Sequence, residues 1–169
     1  MGTVTPVFDP FRVLFVCTGN ICRSPMAEVV FARFAEGVGL ADRVRSGSAG
    51  TGDWHVGERA DVRTRHALQR RGYDGSGHRA RQFTLDDFAA SDLIVALDRS
   101  HDRILHSWAP TPADADKVAL LLSFGEEDVL DVPDPYYADA EMFDEVLAMI
   151  ETACRALFRQ LEPAIRPLS

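Results

Sequence analysis

The sequence predicts an α/β fold, a three-layer sandwich in which helices cover both faces of a four-stranded parallel sheet of order 2-1-3-4. Three observations predict it. Short apolar, β-rich runs alternate with stretches of helical period, the pattern that builds parallel pairs through right-handed crossovers. The first run, residues 13–16, feeds a tight loop that opens directly onto a helix. Near the C-terminus, Phe143, Val146, Leu147, Ile150, Cys154, Leu157, Phe158 and Leu161 fall at helical spacing on one apolar face.

Val13, Leu14, Phe15 and Val16 form the first strand. Met26, Val29, Val30 and Phe34 share one face of a helix expected over 25–36, which ends near Gly37 and Gly39. Pro25 lacks an N–H and suits the first helical position. Residues 43–48 read as the second strand, and residues 49–57 as a Gly-rich loop holding Trp54 and His55. A second helix is expected over 59–71, stopped by Gly72, followed by a loop over 73–82 that contains His78. Thr84 and Asp87 have the spacing of a helix start. Residues 93–97 make the third strand, and Asp98 and Ser100 can cap a helix over 100–109 that Pro110 and Pro112 end. His101 and His106 read as solvated residues of that helix. The fourth strand spans 117–121, and a long loop over 124–137 carries Pro133, Asp134 and Pro135. Cys154 belongs to the stripe of the last helix and reads as core filling. Residues 1–10 read as a mostly unstructured leader and residues 11–165 as one domain, with no internal repeat.

Apolar residues make up 46% of the chain and charged residues 26%, an ordinary soluble globular composition. A net charge of -8 argues against a nucleic-acid partner. No apolar run approaches the ~20 residues of a membrane span, and the N-terminus lacks the apolar region of a signal peptide. Two of the three cysteines share one loop, which does not suggest a disulfide-stapled secreted fold. The expected compartment is the cytoplasm. The five histidines show no metal-ligand spacing, and no metal or cofactor is expected.

The loop C-T-G-N-I-C-R-S-P, residues 17–25, has the chemistry of an anion cup. The first N–H groups of a helix have no internal partner, and the helix dipole adds positive potential there. Successive loop N–H groups, from Thr18, Gly19, Asn20, Ile21, Cys22, Arg23 and Ser24, can curl round the same anion. Gly19 and Asn20 are residue types that accept left-handed backbone angles, which such a curl needs. Arg23 adds a planar fork matched to two phosphate oxygens. Cys17, at the strand end, faces the cup. Cationic, helix-terminal sites favour the thiolate, so Cys17 is expected as a nucleophile beside its phosphate, with phosphoryl transfer to sulfur as the chemistry. Ser24 can donate a hydrogen bond to that sulfur. The positive potential is local, made by one loop and one helix end, which reconciles an anionic substrate with an acidic chain.

These residues resemble the signature loop of the low-molecular-weight protein tyrosine phosphatases, of the actinobacterial, mycobacterial type. The resemblance runs on to D-P-Y-Y, residues 134–137, and so covers most of the chain. It implies hydrolysis of phosphotyrosine through a phosphocysteine, tyrosine-phosphorylated proteins as partners, and inorganic phosphate as product and inhibitor. It implies that Asp134, stiffened by Pro133 and Pro135, is the general acid and later the base for water. Asp131, nearby, reads as merely exposed. Trp54, Tyr136 and Tyr137 would wall a slot deep enough to select phosphotyrosine over phosphoserine; Tyr137 is alternatively a phosphorylation target. Asn20, Ser48 and His78 resemble the family's buried polar network, and Asp61 and Asp98 the carboxylates near that histidine. Family precedent also makes Cys22 a partner that traps oxidised Cys17 as a reversible disulfide.

Two other readings are weaker. A thioredoxin-coupled arsenate reductase needs relay cysteines, and between Thr18 and Ala153 only Cys22 is present. A non-catalytic phosphotyrosine-binding module would keep the cup but lack the acid, whereas Asp134 is there.

Overall fold

The computed structural model describes residues 9–166; the expected leader falls largely on residues 1–8, which lie outside them. Four parallel strands, β1 (Phe11–Cys17), β2 (Val44–Gly50), β3 (Leu93–Ala96) and β4 (Val118–Leu120), pair in the order β2-β1-β3-β4. The helices are α1 (Arg23–Gly37), α2 (Val62–Arg70), α3 (Asp86–Ala90), α4 (Arg99–Trp108), α5 (Pro112–Ala115) and α6 (Ala140–Ile165), with a 3-10 turn at Leu121–Phe124. The expected sandwich and strand order are what the chain forms.

The alternation of β1 decides where its side chains go. Val13, Phe15 and Cys17 point into a core shared with α1, α2 and α6, while Leu14 and Val16 point into a second core with Phe83, Phe88 and Leu105. Cys17 therefore ends the strand on the α1 side, beside the helix whose N-terminus follows it. Phe31 of α1 is the hub of the larger core. Its ring centroid lies 5.7 Å from that of Phe15 on β1 and 5.6 Å from that of Phe158 on α6. Cys154 packs fully buried in the same layer, as its stripe requires, and burial raises its thiol.

Several boundaries differ from the sequence reading for local reasons. Helix α1 begins at Arg23, so Pro25 sits at its third position, still within the turn whose N–H groups lack intrahelical partners. Helix α2 begins at Val62 because Asp61 caps it, its carboxylate accepting from the Arg63 N–H at 2.9 Å. Only half of the expected box at Thr84 forms: the Asp87 carboxylate accepts from the Thr84 N–H at 2.8 Å. Pro112 does not merely end a helix; with Thr111 as cap it starts the short α5.

The N-terminus of α4 carries the largest departure. Asp98 caps it as expected, but His101 is not solvated: it is 1% exposed and completes a capping box with Asp98. Burial, joined by the Arg23 charge, lowers the His101 imidazole to about 4. Burial would raise Asp98, but hydrogen bonds from Ser100 and Arg23 outweigh it and bring the carboxyl down to about 2.

Two measurements test this packing. Phe31→Ala is expected to destabilise the fold by about 3–5 kcal/mol in chemical denaturation, since it opens a cavity between both its ring partners. Between pH 6.5 and 4 the unfolded chain protonates His101 and the native chain resists, so stability falls as pH falls through that window. His101→Gln should remove this loss, at most about 3 kcal/mol at the acid end, flattening the pH dependence of the denaturation midpoint.

Candidate active site

The loop between β1 and α1 closes round the end of the sheet. Thr51 N–H donates to the Cys17 carbonyl at 2.9 Å, Gly52 N–H to the Thr18 carbonyl at 3.0 Å, and Asp61 N–H to the Ile21 carbonyl at 2.9 Å. Asn20 alone in the loop takes a left-handed conformation, with φ 58°. The sequence reading gave Gly19 the same freedom, but its φ is not positive; what stands beside it is the His55 ring, 2.9 Å from where a Cβ would be.

Asn20 is fully buried and organises the cup. Its Oδ1 accepts from the Arg81 N–H at 3.0 Å, which fixes the amide so that Nδ2 carries both donors. Those reach Ser24 Oγ at 2.8 Å and Ser48 Oγ at 2.9 Å. Ser24 Oγ, accepting from Asn20, shares a hydrogen bond with Cys17 Sγ, 2.9 Å away. His78 Nε2 donates to the Asn20 carbonyl at 2.6 Å. Ser48 and His78 thus join the network with Asn20. The side chains of Asp61 and Asp98, which the resemblance places near His78, each hydrogen-bond to an arginine. Asp61 pairs with Arg63 at 2.9 Å and Asp98 with Arg23 at 2.8 Å, because each caps a different helix beside an arginine. The carboxylate whose charge interacts with His78 is Glu28 on α1. Burial raises it, opposed by a hydrogen bond from Ser48 and by the charges of His78 and Arg81. A lone acid in the otherwise apolar M-A-E-V-V-F run was its sequence signal.

Arg23 is 3% exposed. Its Nη1 donates to Asp98 Oδ2 and to the Val132 carbonyl, both at 2.8 Å, while Nη2 lies 3.5 Å from Thr18 Oγ1 and 3.7 Å from Asp134 Oδ2. One arm of the fork is thereby fixed by the fold and the other faces the cleft. Asp134 is half-exposed, and its Oδ1 accepts from the Tyr136 N–H at 3.1 Å. Asp131 is occupied elsewhere, paired with Arg99 at 3.0 Å.

A cavity of about 480 Å³ unites these groups: Cys17, Thr18, Gly19, Ile21, Cys22 and Arg23 form its floor, Asp134 one side, and Trp54, His55, Tyr136 and Tyr137 its mouth. Trp54 is 72% exposed, yet its ring lies against Gly52, where a Cβ would meet the indole at 1.8 Å. Tyr136 stands 6.0 Å from His55 and 4.9 Å from Tyr137, edge to face with the latter, which is 94% exposed. His55, hydrogen-bonded to Glu58, is a rim residue to which the sequence reading gave no role. Arg63 was also missed. It donates to the carbonyls of Tyr136 at 2.9 Å and Ala138 at 3.0 Å while stacking 4.4 Å over Phe143.

Cys22 is buried at the first turn of α1. Burial, with the Asp61 charge, pushes its thiol up to about 12, against an opposing contact from Thr64. That contact is weak: Thr64 Oγ1 is buried without a well-formed hydrogen bond. Cys17 and Cys22 are both free thiols, as is Cys154 in the distant core.

A family model for low molecular weight phosphotyrosine protein phosphatase matches residues 12–166. A low molecular weight protein-tyrosine-phosphatase of Streptomyces coelicolor is 53% identical over 150 residues, covering 87% of this chain and 91% of the relative. Low molecular weight protein-tyrosine phosphatase A of Mycobacterium tuberculosis is 50% identical over 152 residues, covering 88% and 90%. Among solved structures, YfkJ from Bacillus subtilis superposes with a TM-score of 0.88 at 38% identity, over 94% of this chain and 99% of that one. The protein tyrosine phosphatase of Entamoeba histolytica, with Hepes in its active site, gives 0.87 at 34% identity, over 91% and 98%. The chain belongs to the low molecular weight phosphotyrosine protein phosphatase family.

Proposed function

We propose that this chain hydrolyses phosphotyrosine in proteins by two successive transfers through a phosphocysteine on Cys17. The observation that carries the reading is the shared cavity: a sulfur held by a hydroxyl, a buried guanidinium and a carboxylate meet in one opening. In the first transfer Cys17 Sγ attacks phosphorus. The free arm of Arg23 and the N–H groups of residues 18–24 hold the equatorial oxygens as charge spreads onto them. Asp134 protonates the departing phenol oxygen. In the second transfer Asp134 takes a proton from water, and inorganic phosphate leaves. Ser24 stabilises the sulfur both as nucleophile and as leaving group.

Trp54, Tyr136 and Tyr137 supply an aromatic slot above the cup, and its depth favours phosphotyrosine over the shorter phosphoserine. Asn20, Ser48 and His78 hold the cup's shape, Asp98 holds Arg23, and Asp61 holds Arg63. Inorganic phosphate fits the same cup and so competes with substrate. Residues 11–165 form the catalytic unit. Free thiols suit a reducing compartment, which supports a cytoplasmic location. Among the described residues, no helix is long and apolar enough to cross a membrane.

Steady-state assays of variants test these roles. Cys17→Ser is expected to reduce turnover of an aryl phosphate to that of buffer while inorganic phosphate still binds; substantial turnover removes Cys17 as nucleophile. Asp134→Ala should slow esters of poor leaving groups by ~10²–10⁴-fold and esters of good ones far less. Equal losses across the series would take the acid role away from Asp134.

A further inference from the structure

A closed ring of polar contacts joins the cup to α4. Asp98 Oδ2 accepts from Arg23 Nη1 at 2.8 Å, and the Asp98 N–H donates to His101 Nδ1 at 3.2 Å. His101 Nε2 lies 2.8 Å from Thr18 Oγ1, and Arg23 Nη2 lies 3.5 Å from the same oxygen. Because Nδ1 accepts, the proton of the neutral imidazole is on Nε2 and is donated to Thr18. Burial keeps the ring neutral, its value lowered to about 4. Thr18 Oγ1 thus accepts from His101, with Arg23 on its other acceptor side, and its own proton points away from both. Among the described residues the Thr18 hydroxyl has no further partner. Thr18 lines the cavity, as does Asp134, whose Oδ2 is 3.7 Å from the same Arg23 Nη2. Hydroxyl and carboxylate therefore flank one guanidinium nitrogen in the same cavity.

We propose that the Thr18 hydroxyl, aimed by His101, donates a hydrogen bond to the water that hydrolyses the phosphocysteine, making Thr18 a catalytic residue of the second transfer and His101 its positioning residue. The proposal rests on the phosphocysteine reading above. In that step the water oxygen bonds to phosphorus as the P–S bond breaks. The sulfur departs with the bonding pair as thiolate, one water proton passes to the Asp134 carboxylate, and inorganic phosphate is released. One lone pair of the water attacks and the other accepts from Thr18, while Asp134 takes the proton. A water has no ring to seat in the aromatic slot, so it depends on such tethers more than the ester does.

The test uses the full chain and an aryl phosphate with a good leaving group, so that the second transfer limits kcat while kcat/KM reports the first. Thr18→Val should lower kcat about 10-fold, the worth of roughly one hydrogen bond, and leave kcat/KM within about 2-fold. KM falls with kcat. Thr18→Ser should restore both. His101→Ala should repeat the kcat loss, and adding it to Thr18→Val should cost nothing more. If the valine variant does not fold, Thr18→Ala is read by the same criteria. A kcat unchanged in the hydroxyl-free variant, or kcat and kcat/KM lowered together without rescue by serine, overturns the proposal. An inactive wild-type protein, or an active Cys17→Ser protein, overturns the phosphocysteine reading instead, and this one with it.

Discussion

Asn20 is the residue on which the cup depends. Its φ of 58° places a side-chain-bearing residue in the left-handed region, at a cost of roughly 1–2 kcal/mol. Four hydrogen bonds offset that cost, each worth about 1 kcal/mol net. They come from Ser24 at the start of α1, Ser48 on β2, and His78 and Arg81 in the segment after α2. A glycine would take the same backbone angle more cheaply. It would supply neither the amide that orients Ser24 nor the oxygen that receives Arg81. The curl of the loop is therefore a tertiary product, and the residue that carries the local strain also holds the Ser24 hydroxyl against Cys17.

The same economy of position places a buried guanidinium at the cleft of a chain of net charge -8. A buried guanidinium needs partners, or its desolvation would destabilise the fold. Asp98 and the Val132 carbonyl meet that need on one edge of Arg23. Nη2 remains directed at the cleft, beside the first turn of α1. One guanidinium nitrogen and the dipoles of the first turn of α1 thus bring positive charge to the cleft, and surface charges more than a Debye length away are largely screened from it. A lysine could not serve both edges, since its single ammonium lacks the planar fork.

What was legible in the sequence was local. The strand, Cys17, Arg23 and the opening helix lie within one short stretch, and Asp134 between two prolines is a short motif as well. The C-terminal stripe announced α6 because eight apolar residues share one face. His101 was invisible for the opposite reason. Its partner Thr18 is 83 residues away, and a histidine in the first turn of a polar helix looks solvated until another layer covers it. Arg63 reaches Tyr136 across 73 residues, and nothing in V-R-T-R-H marks it off from its neighbouring arginine. Asp61 and Asp98 each cap a helix and pair with an arginine, Asp61 with Arg63 two residues on and Asp98 with Arg23 across 75 residues, a pairing that no local pattern announces.

The acid-bearing segment has no regular structure of its own, so Asp134 must be held from its two sides. On one side Val132 is buried, its N–H donating to the Leu97 carbonyl at 3.0 Å and its carbonyl accepting from Arg23 at 2.8 Å. On the other, the Tyr136 carbonyl accepts from Arg63 at 2.9 Å. Each arginine is fixed in turn by a helix-capping carboxylate, Asp98 or Asp61. Asp134 is therefore suspended between anchors two residues away in either direction, with prolines filling the gaps. The prolines limit how the chain can swing. The anchors determine how far the carboxyl stands from Arg23, and through Arg23 from Cys17. That distance is set by the caps of α2 and α4, which lie far in sequence from both the Cys17 loop and Asp134.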